Sequence, residues 1–211
     1  MSKSIADIRK DYTKGSLKVS DLPDSPFESF KKWLDEAISS EVEEPTALTL
    51  STIHEGKRPR SRVVLLKKID DLGLVFFTNY NSQKGTEIAS NPYAAMNFFW
   101  PELERQVRVE GHIEKISSTE SDDYFYSRPK ESQAGAIVSA QSKEIPEGLD
   151  LSAEINALIK QPDKLKRPEH WGGFRLIPDY FEFWQGRPSR IHDRVFYQLQ
   201  NERWSKGRLS P

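Results

Sequence analysis

The sequence predicts an α+β fold, in which a mostly antiparallel β-barrel is flanked by helices. Two observations lead to this prediction. Strand-like segments fill the chain from Thr46 to Ile116 and return from Trp171 to the C-terminus. The connections within the first group are short, which favours an antiparallel barrel or sandwich over a parallel βαβ sheet.

The first predicted element is a helix with Ser25 as its N-cap and Pro26 in its first turn. Apolar residues then recur at helical spacing, and several are aromatic: Phe27, Phe30, Trp33, Leu34, Ala37 and Ile38. We therefore expect this helix to bury one aromatic face.

The next residues predict a β-hairpin. Thr46–Ile53 alternates in polarity, Arg60–Ile69 is rich in β-branched and long aliphatic side chains, and His54–Lys57 can form the turn between them. A turn at residues 71–73 leads into further strands at residues 74–77, 93–100 and 105–116. A short helix at residues 85–89 separates the first two of these strands.

Helices interrupt the strands in the second half of the chain. Ser117 and Glu120 fit a capping box for a short helix that Pro129 must end. Another helix is marked by Leu151, Ile155, Leu158 and Ile159, and strands follow at residues 174–177, 180–184 and 195–197. We expect residues 1–211 to form one domain.

Composition excludes several classes of chemistry. The 31 Lys and Arg residues nearly cancel the 32 Asp and Glu residues, so no net positive field favours nucleic acid or an anionic membrane. The absence of cysteine excludes disulfides, thiolate metal sites and cysteine nucleophiles. The four histidines are too scattered to indicate a metal site, and the chain has no GxGxxG, Walker, HExxH or GxSxG motif. The chemistry must therefore depend on cations beside aromatic and hydroxyl groups.

The chain shows no targeting signal of the common kinds. Its first residues, Met1 to Ile5, lack an apolar core, and no apolar run approaches the roughly 20 residues of a membrane helix. We expect a cytoplasmic protein.

The segment from Arg62 to Lys67 places a cation at each end of an apolar strand. Strict alternation puts the two cations on opposite faces, so either a bulge realigns them or they serve different ligand groups. Ordinary surface charge beside a core strand is the alternative.

Ser82 precedes a predicted helix whose N-terminus could bind phosphate, but it could equally serve only as the N-cap.

A third group follows on the helix that ends before Pro129. Tyr124 and Arg128 are four residues apart, so they share a helix face, and Ser132 lies just beyond the break. Two hydroxyls and a guanidinium could form a phosphate cradle. A common helix end with an arginine near its C-terminus is the alternative.

The densest group of polar residues lies between Phe181 and Arg194. Arg190, His192 and Arg194 have the same parity, so in a strand all three project from one face. Such groups repel one another unless an anion or a carboxylate lies among them. This segment is the strongest candidate for a functional site.

These segments closely resemble the pyridoxamine 5'-phosphate oxidase family, and the resemblance covers nearly the whole chain. Its motifs are Arg9 to Gly15, Arg62 to Lys67, Glu104 to Val107, Ser127 to Pro129, Gln141-Ser142, Trp171 to Gly173, Phe181 to Arg194 and Arg208 to Pro211. Several motifs in the right order are far more specific than any one of them.

The resemblance implies a split β-barrel homodimer with two FMN sites built across the subunit interface. The residues that it places at FMN, some from the second subunit, are Arg62, Val63, Val64, Leu65, Leu66, Lys67, Phe77, Thr78, Ser82, Gln83, Lys84, Gln106, Gln141, Ser142, Trp184 and Arg194. The residues that it places at the substrate are Arg9, Tyr12, Lys67, Tyr124, Arg128, Ser132, Arg190, Ile191 and His192. Residues 1–24 would form a mobile N-terminal segment that closes over the substrate.

The implied reaction is the oxidation of pyridoxamine or pyridoxine 5'-phosphate to pyridoxal 5'-phosphate, the final step of its synthesis and salvage. A hydride passes from the 4' carbon to flavin N5, and dioxygen reoxidises the flavin to give hydrogen peroxide, with ammonia released from the amine. Arg190 and His192 are the expected catalytic residues, and no metal is needed. Gln83 departs from the family pattern, since arginine is expected there near the FMN phosphate.

Two rival functions stay open at this point. A flavin reductase could keep the split barrel without pyridoxamine specificity, but the intact sets at Arg190–His192 and at Tyr124, Arg128 and Ser132 argue against it. A non-catalytic protein that stores FMN or pyridoxal phosphate would need the same binding residues. Oxygen uptake with pyridoxine 5'-phosphate separates an oxidase from a binding protein.

Overall fold

The computed structural model describes residues 4–8 and 11–211. In the described residues, five α-helices and nine β-strands follow in the order α1 (Pro26–Ser39), β1 (Ala47–His54), β2 (Arg58–Leu65), β3 (Lys68–Ile69), β4 (Leu74–Asn79), α2 (Gln83–Ser90), β5 (Tyr93–Trp100), β6 (Arg105–Lys115), α3 (Ser118–Ser127), α4 (Lys130–Val138), α5 (Leu151–Ile159), β7 (Trp171–Gln185), β8 (Asp193–Gln200) and β9 (Arg203–Leu209). Short 3-10 helices lie at Ile5–Asp7, Val19–Asp21 and Pro188–Arg190.

The strands form a single sheet in the order β2-β1-β5-β6-β7-β4-β3, with β8 beside β7 and β9 beside β8. Strand β7 is 15 residues long. Its first half pairs antiparallel with β4, with Leu176 opposite Leu74, and its second half pairs antiparallel with β8, with Trp184 opposite Arg194. The predicted α+β class with antiparallel strands is confirmed.

The chain divides into two compact units, each made of segments that are separate in sequence. The first unit contains the described residues of Met1–Thr49, Ala95–Glu110 and Pro178–Pro211. The second unit contains Leu50–Ala94 and Gly111–Ile177.

Helix α1 supplies the aromatic core of the first unit. Phe30 contacts Phe98 with ring centroids 4.9 Å apart, and Trp33 contacts Phe183 at 5.2 Å. Ile38 is 51% exposed in the last turn of α1, although its spacing placed it on the buried face. The helix therefore buries an aromatic face as predicted, and Ala37 is its last buried residue.

The predicted N-caps are confirmed. Ser25, Ser82 and Ser117 each accept a hydrogen bond through the side-chain oxygen from the N–H three residues later. These bonds satisfy N–H groups that have no partner within the helix.

The predicted hairpin of β1 and β2 is confirmed, and its turn places Glu55 and Gly56 at φ values of 51° and 65°. The predicted strand Arg60–Ile69 is interrupted, because β2 ends at Leu65 and β3 begins at Lys68. Between them, the Lys67 N–H donates to the Val75 carbonyl at 2.8 Å. Lys67 therefore lies outside the regular strand, and the predicted alternation of side chains between the two strand faces does not extend from Arg62 to Lys67.

The prediction that Tyr124 and Arg128 share a helix face is wrong. Arg128 follows the last residue of α3 and has extended backbone angles, φ −77° and ψ 152°. Pro129 is the reason, since a proline disfavours helical angles in the residue before it. Helix α4, which was not predicted, then begins directly after Pro129.

The prediction that Arg190, His192 and Arg194 lie on one strand face is also wrong. Residues Pro188–Arg190 form a 3-10 turn in which Ser189 and Arg190 have positive φ. Because β8 begins only at Asp193, Arg190 and His192 precede the strand that contains Arg194. In the described part of the chain, no helix is long and apolar enough to cross a membrane.

Substitution by alanine at two helical glycines should change the free energy of unfolding in opposite directions. A methyl group at Gly85 would lie 2.1 Å from the Tyr80 carbonyl oxygen, whereas one at Gly135 would meet Ile155 Cδ1 at 3.9 Å. Alanine stabilises a helix relative to glycine by about 0.5–1 kcal/mol where there is room, so Gly135→Ala should raise the free energy of unfolding by that amount. Gly85→Ala should lower it by about 1–3 kcal/mol.

Denaturant unfolding of both variants measures these changes. A Gly85→Ala protein that is as stable as the wild type would contradict the close approach of the Tyr80 backbone.

Candidate active site

A cavity of about 680 Å³ lies in the second unit. Its lining includes these predicted binding residues: Arg62, Val63, Val64, Leu65, Lys67, Phe77, Thr78, Lys84, Tyr124, Arg128, Ser132 and Gln141. It also includes residues that were not predicted: Asn79, Gly135, Ala136, Ser139 and Trp171. Arg62 and Lys67 thus line the same cavity, because the chain leaves the regular strand between them.

Lys84 brings a buried positive charge to this cavity. It is 8% exposed, and its Nζ donates to Thr78 Oγ1 at 3.1 Å, to Gln141 Oε1 at 3.1 Å and to Ser82 Oγ at 3.4 Å. All three acceptors are neutral. Burial lowers the pKa of Lys84, and the nearby charge of Arg62 lowers it further, against a smaller opposing effect of Glu87. A buried cation in neutral surroundings favours an anion as its partner.

Glu87, on the next turn of α2, holds Arg62. Arg62 Nη2 donates to Glu87 Oε2 at 2.9 Å, and Arg62 Nη1 donates to Thr52 Oγ1. The Glu87 carboxylate also accepts from Thr52 Oγ1 at 2.5 Å and from Arg60 Nη1 at 3.1 Å. Burial alone would raise the pKa of Glu87, but the hydrogen bonds from Thr52, Arg62 and Arg60 outweigh it and keep the pKa below its usual value.

A smaller cavity of about 290 Å³ shares Arg62, Lys84 and Gln141 with the first one. It adds Gln83, which is exposed at the first position of α2, and Ser142, whose φ is 69°. Most of the residues predicted at FMN therefore surround two adjoining cavities.

Stacked aromatic rings also line the larger cavity. Phe77 and Tyr124 stack with centroids 3.8 Å apart, and the Arg128 guanidinium lies 4.6 Å from the Trp171 ring centroid. Arg128 Nη1 is buried and has no hydrogen-bond partner in the described structure. Burial lowers the pKa of Arg128. This unpaired donor suits an anion, so the residues fit a second phosphate group.

A separate group of predicted residues lies in the first unit. The Trp184 and His192 rings are 4.7 Å apart, and the Tyr12 ring lies 5.6 Å from Trp184 and 5.8 Å from His192. The Arg187 N–H donates to His192 Nδ1 at 3.1 Å. Because Nδ1 accepts this bond, the ring proton is on Nε2, and His192 can donate a hydrogen bond from Nε2.

Arg194 is held by a second buried carboxylate. Its Nε and Nη2 donate to Oε1 and Oε2 of Glu182 at 2.7 Å and 3.1 Å, and Glu182 is 2% exposed. Arg108 Nη2 approaches the same carboxylate at 3.0 Å. The hydrogen bond to Glu182 raises the pKa of Arg194. Glu182 and Glu87 are therefore the two supporting carboxylates that the sequence did not predict.

The N-terminal segment is attached to the rest of the first unit through backbone N–H groups and through Lys14 Nζ, which donates to the Glu102 carbonyl at 2.6 Å. The N–H groups of Thr13 and Lys14 donate to Glu104 Oε2 at 2.7 Å and 2.9 Å. The Leu17 N–H donates to Asp193 Oδ2 at 3.0 Å. These bonds accompany the contacts of Tyr12 with Trp184 and His192.

The remaining predicted residues lie elsewhere. Leu66 and Ser82 are buried, Gln106 is half-buried on β6, and in the described structure none of the three lines either cavity. Arg190 and Ile191 are exposed in the turn before β8. Arg9 lies outside the described residues.

Comparison with known proteins identifies related families and relatives. Residues 34–157 match the family described as pyridoxamine 5'-phosphate oxidase, and residues 171–211 match the pyridoxine 5'-phosphate oxidase C-terminal dimerisation region. The pyridoxine/pyridoxamine 5'-phosphate oxidase of Neisseria meningitidis serogroup C is 53% identical over 205 residues, which cover 97% of this chain and 98% of that protein. The protein of the same name from Thermosynechococcus vestitus is 49% identical, with 98% and 99% covered.

Solved structures share the fold. PhzG from Burkholderia lata, crystallised with tetrahydrophenazine-1-carboxylic acid, has a TM-score of 0.88 and 32% identity, and the match covers 93% of this chain and 100% of PhzG. A pyridoxamine 5'-phosphate oxidase-related, FMN-binding protein from Nostoc punctiforme has a TM-score of 0.74 and 18% identity, with 90% and 100% covered. These neighbours confirm the predicted fold class.

The lowered pKa of Lys84 gives a pH-dependent prediction. Loss of the Lys84 proton removes a positive charge from the cavity, so affinity for a phosphate dianion should fall as the pH rises through this pKa. The phosphate itself stays dianionic above its second pKa of about 6. Titration of flavin-free protein with FMN between about pH 7 and about pH 10 measures the decline.

Lys84→Arg is the matched control, because arginine keeps its charge over this pH range. The decline should be smaller in this variant. Equal declines in both proteins would show that another group is responsible.

Proposed function

This chain belongs to the pyridoxamine 5'-phosphate oxidase family, and we propose that it uses FMN to oxidise pyridoxamine or pyridoxine 5'-phosphate to pyridoxal 5'-phosphate. Dioxygen is the electron acceptor and hydrogen peroxide is a product; the amine substrate also consumes water and releases ammonia. The observation that carries the proposal is that two sets of cations and hydroxyls line one cavity: Arg62, Lys84 and Thr78 in the first set, and Lys67, Tyr124, Arg128 and Ser132 in the second. Two phosphorylated ligands require two such groups.

The FMN phosphate is assigned to the group around Arg62 and Lys84. The buried Lys84 ammonium, hydrogen-bonded only to neutral acceptors in the described structure, supports this assignment. The N-terminus of α2, where Gln83 lies, adds the positive end of a helix dipole, which favours an anion. This arrangement suits one phosphate monoester, which favours FMN over a dinucleotide.

The substrate phosphate is assigned to Lys67, Tyr124, Arg128 and Ser132, which line the same cavity. The buried, unpaired Nη1 of Arg128 supports this assignment, because a phosphate oxygen would satisfy it. The Trp171 ring supports the guanidinium from one side.

The pyridine ring is assigned to Arg190 and His192, and further FMN contacts to Gln106, Trp184 and Arg194. We propose that the protein is a homodimer and that these residues act on the ligands bound by the partner subunit. The match of residues 171–211 to a dimerisation region supports this arrangement, since most of these residues belong to that region. The predicted cytoplasmic location and the mobility of residues 1–24 remain predictions.

In the proposed mechanism, bound FMN supplies the redox chemistry by accepting the hydride and passing electrons to dioxygen. The protein binds and orients the substrate. His192 donates a hydrogen bond from Nε2 to the phenolic oxygen, because its Nδ1 is occupied by the Arg187 N–H. Arg190 provides a positive charge at the pyridine ring, and Tyr12 covers His192 and Trp184.

Oxygen uptake tests the proposal. Purified protein should be yellow, should release FMN on unfolding, and should consume oxygen when pyridoxine or pyridoxamine 5'-phosphate is added. Formation of pyridoxal 5'-phosphate should match the oxygen consumed. A protein that binds FMN and pyridoxal phosphate without oxygen uptake would be a storage protein, and one that does not take up FMN would contradict the proposal altogether.

Arg190→Ala and His192→Ala should lower turnover while leaving FMN bound. Each removes a substrate hydrogen bond worth about 1–3 kcal/mol, which corresponds to roughly five- to 150-fold in kcat/KM. Steady-state kinetics and flavin content measure the two effects. Arg203→Ala, which removes an exposed cation of the same unit, is the control and should behave as wild type. Unchanged kinetics in both site variants would show that these residues do not meet the substrate.

A further inference from the structure

We propose that Glu87 is a positioning residue for the FMN phosphate, because its buried carboxylate fixes the direction of the Arg62 guanidinium. This inference rests on the proposed function, in which Arg62 and Lys84 bind that phosphate. Glu87 itself lies behind the arginine and is not among the residues that line either cavity in the described structure.

The contacts of Glu87 are directional and use both of its oxygens. Oε2 accepts from Arg62 Nη2 at 2.9 Å and from Thr52 Oγ1 at 2.5 Å, while Oε1 accepts from Arg60 Nη1 at 3.1 Å. His54 Nδ1 lies 3.6 Å from Oε1. The Glu87 side chain is 4% exposed, so water cannot easily replace these partners.

The same carboxylate also sets the local charge. Arg60, Arg62 and Lys84 carry three positive charges and Glu87 carries one negative charge, which leaves two positive charges for a phosphate dianion. Glu87 therefore has two effects of opposite sign on phosphate binding. Its charge repels the phosphate, whereas its hydrogen bonds hold Arg62 in place.

We infer that the hydrogen bonds decide the outcome. A glutamine at this position has one acceptor oxygen and one donor NH₂ group, so it cannot accept from Arg60 and Arg62 through two different atoms. One guanidinium would then face another donor. Without the negative charge of Glu87, the repulsion between Arg62 and Lys84 would also be less compensated. The charge of Arg62 already lowers the pKa of Lys84.

The test compares Glu87→Gln with Glu55→Gln by titrating the flavin-free, full-length protein with FMN. Glu55 is a neighbouring carboxylate that is 77% exposed and contacts His54. Glu87→Gln should weaken FMN binding about tenfold although it makes the site more positive. Glu55→Gln removes the same charge without moving Arg62, so it should leave FMN affinity unchanged or slightly tighter.

Riboflavin, which lacks the phosphate, separates positioning from general damage. Its affinity should be the same in wild type, Glu87→Gln and Glu55→Gln. A Glu87→Gln protein that binds FMN as tightly as wild type, or more tightly, would overturn the inference, and so would equal losses for FMN and riboflavin.

Thr52→Val provides a second test that does not depend on the stability of the first variant. It removes the hydroxyl between Arg62 and Glu87 without changing any charge. FMN binding should weaken about threefold, again with riboflavin unaffected. Unchanged FMN affinity in Thr52→Val would overturn the inference. A wild-type protein that does not bind FMN would instead overturn the proposed function.

Discussion

The hydrogen bonds of one buried carboxylate, that of Glu87, connect the elements of the second unit that carry Arg62 and Lys84. Glu87 cannot be buried as an anion without partners, because desolvation of an unpaired charge costs several kcal/mol. Thr52 of β1 and Arg60 and Arg62 of β2 supply these partners. The bonds tie α2 to the β1–β2 hairpin, and α2 in turn carries Lys84 into the cavity. The position of both cations, Arg62 and Lys84, thus depends on a residue that in the described structure is not among those lining the two cavities.

The parts of the fold that follow from local chemistry could be predicted from the sequence. Serine caps act within three residues and the tight turn at His54–Lys57 needs only a few, so their signals are contained in short segments. The break at Leu66 and Lys67 depends on pairing with β4 and gives no local signal. The extended backbone of Arg128 follows from Pro129, whose local effect on the preceding residue outweighs the helical spacing of Tyr124 and Arg128.

In the candidate site, too, some residues could be predicted from the sequence and others could not. The predicted ligand-binding residues belong to motifs that resemble a known family, and most of those in the second unit line one of two adjoining cavities. The supporting carboxylates Glu87 and Glu182 escaped prediction because their partners lie 25 and 12 residues away along the chain. Glu87 lies three residues after the predicted Lys84 in α2, and Glu182 lies between two phenylalanines in β7.

Several contacts of the N-terminal segment do not depend on the identity of its own side chains. Thr13, Lys14 and Leu17 are held through their backbone N–H groups, by the carboxylates of Glu104 and Asp193. Every amino acid except proline has such an N–H. Thr13 can therefore be replaced by any residue except proline without loss of its bond to Glu104, whereas Lys14 also holds the segment through its side chain, since its Nζ donates to the Glu102 carbonyl at 2.6 Å.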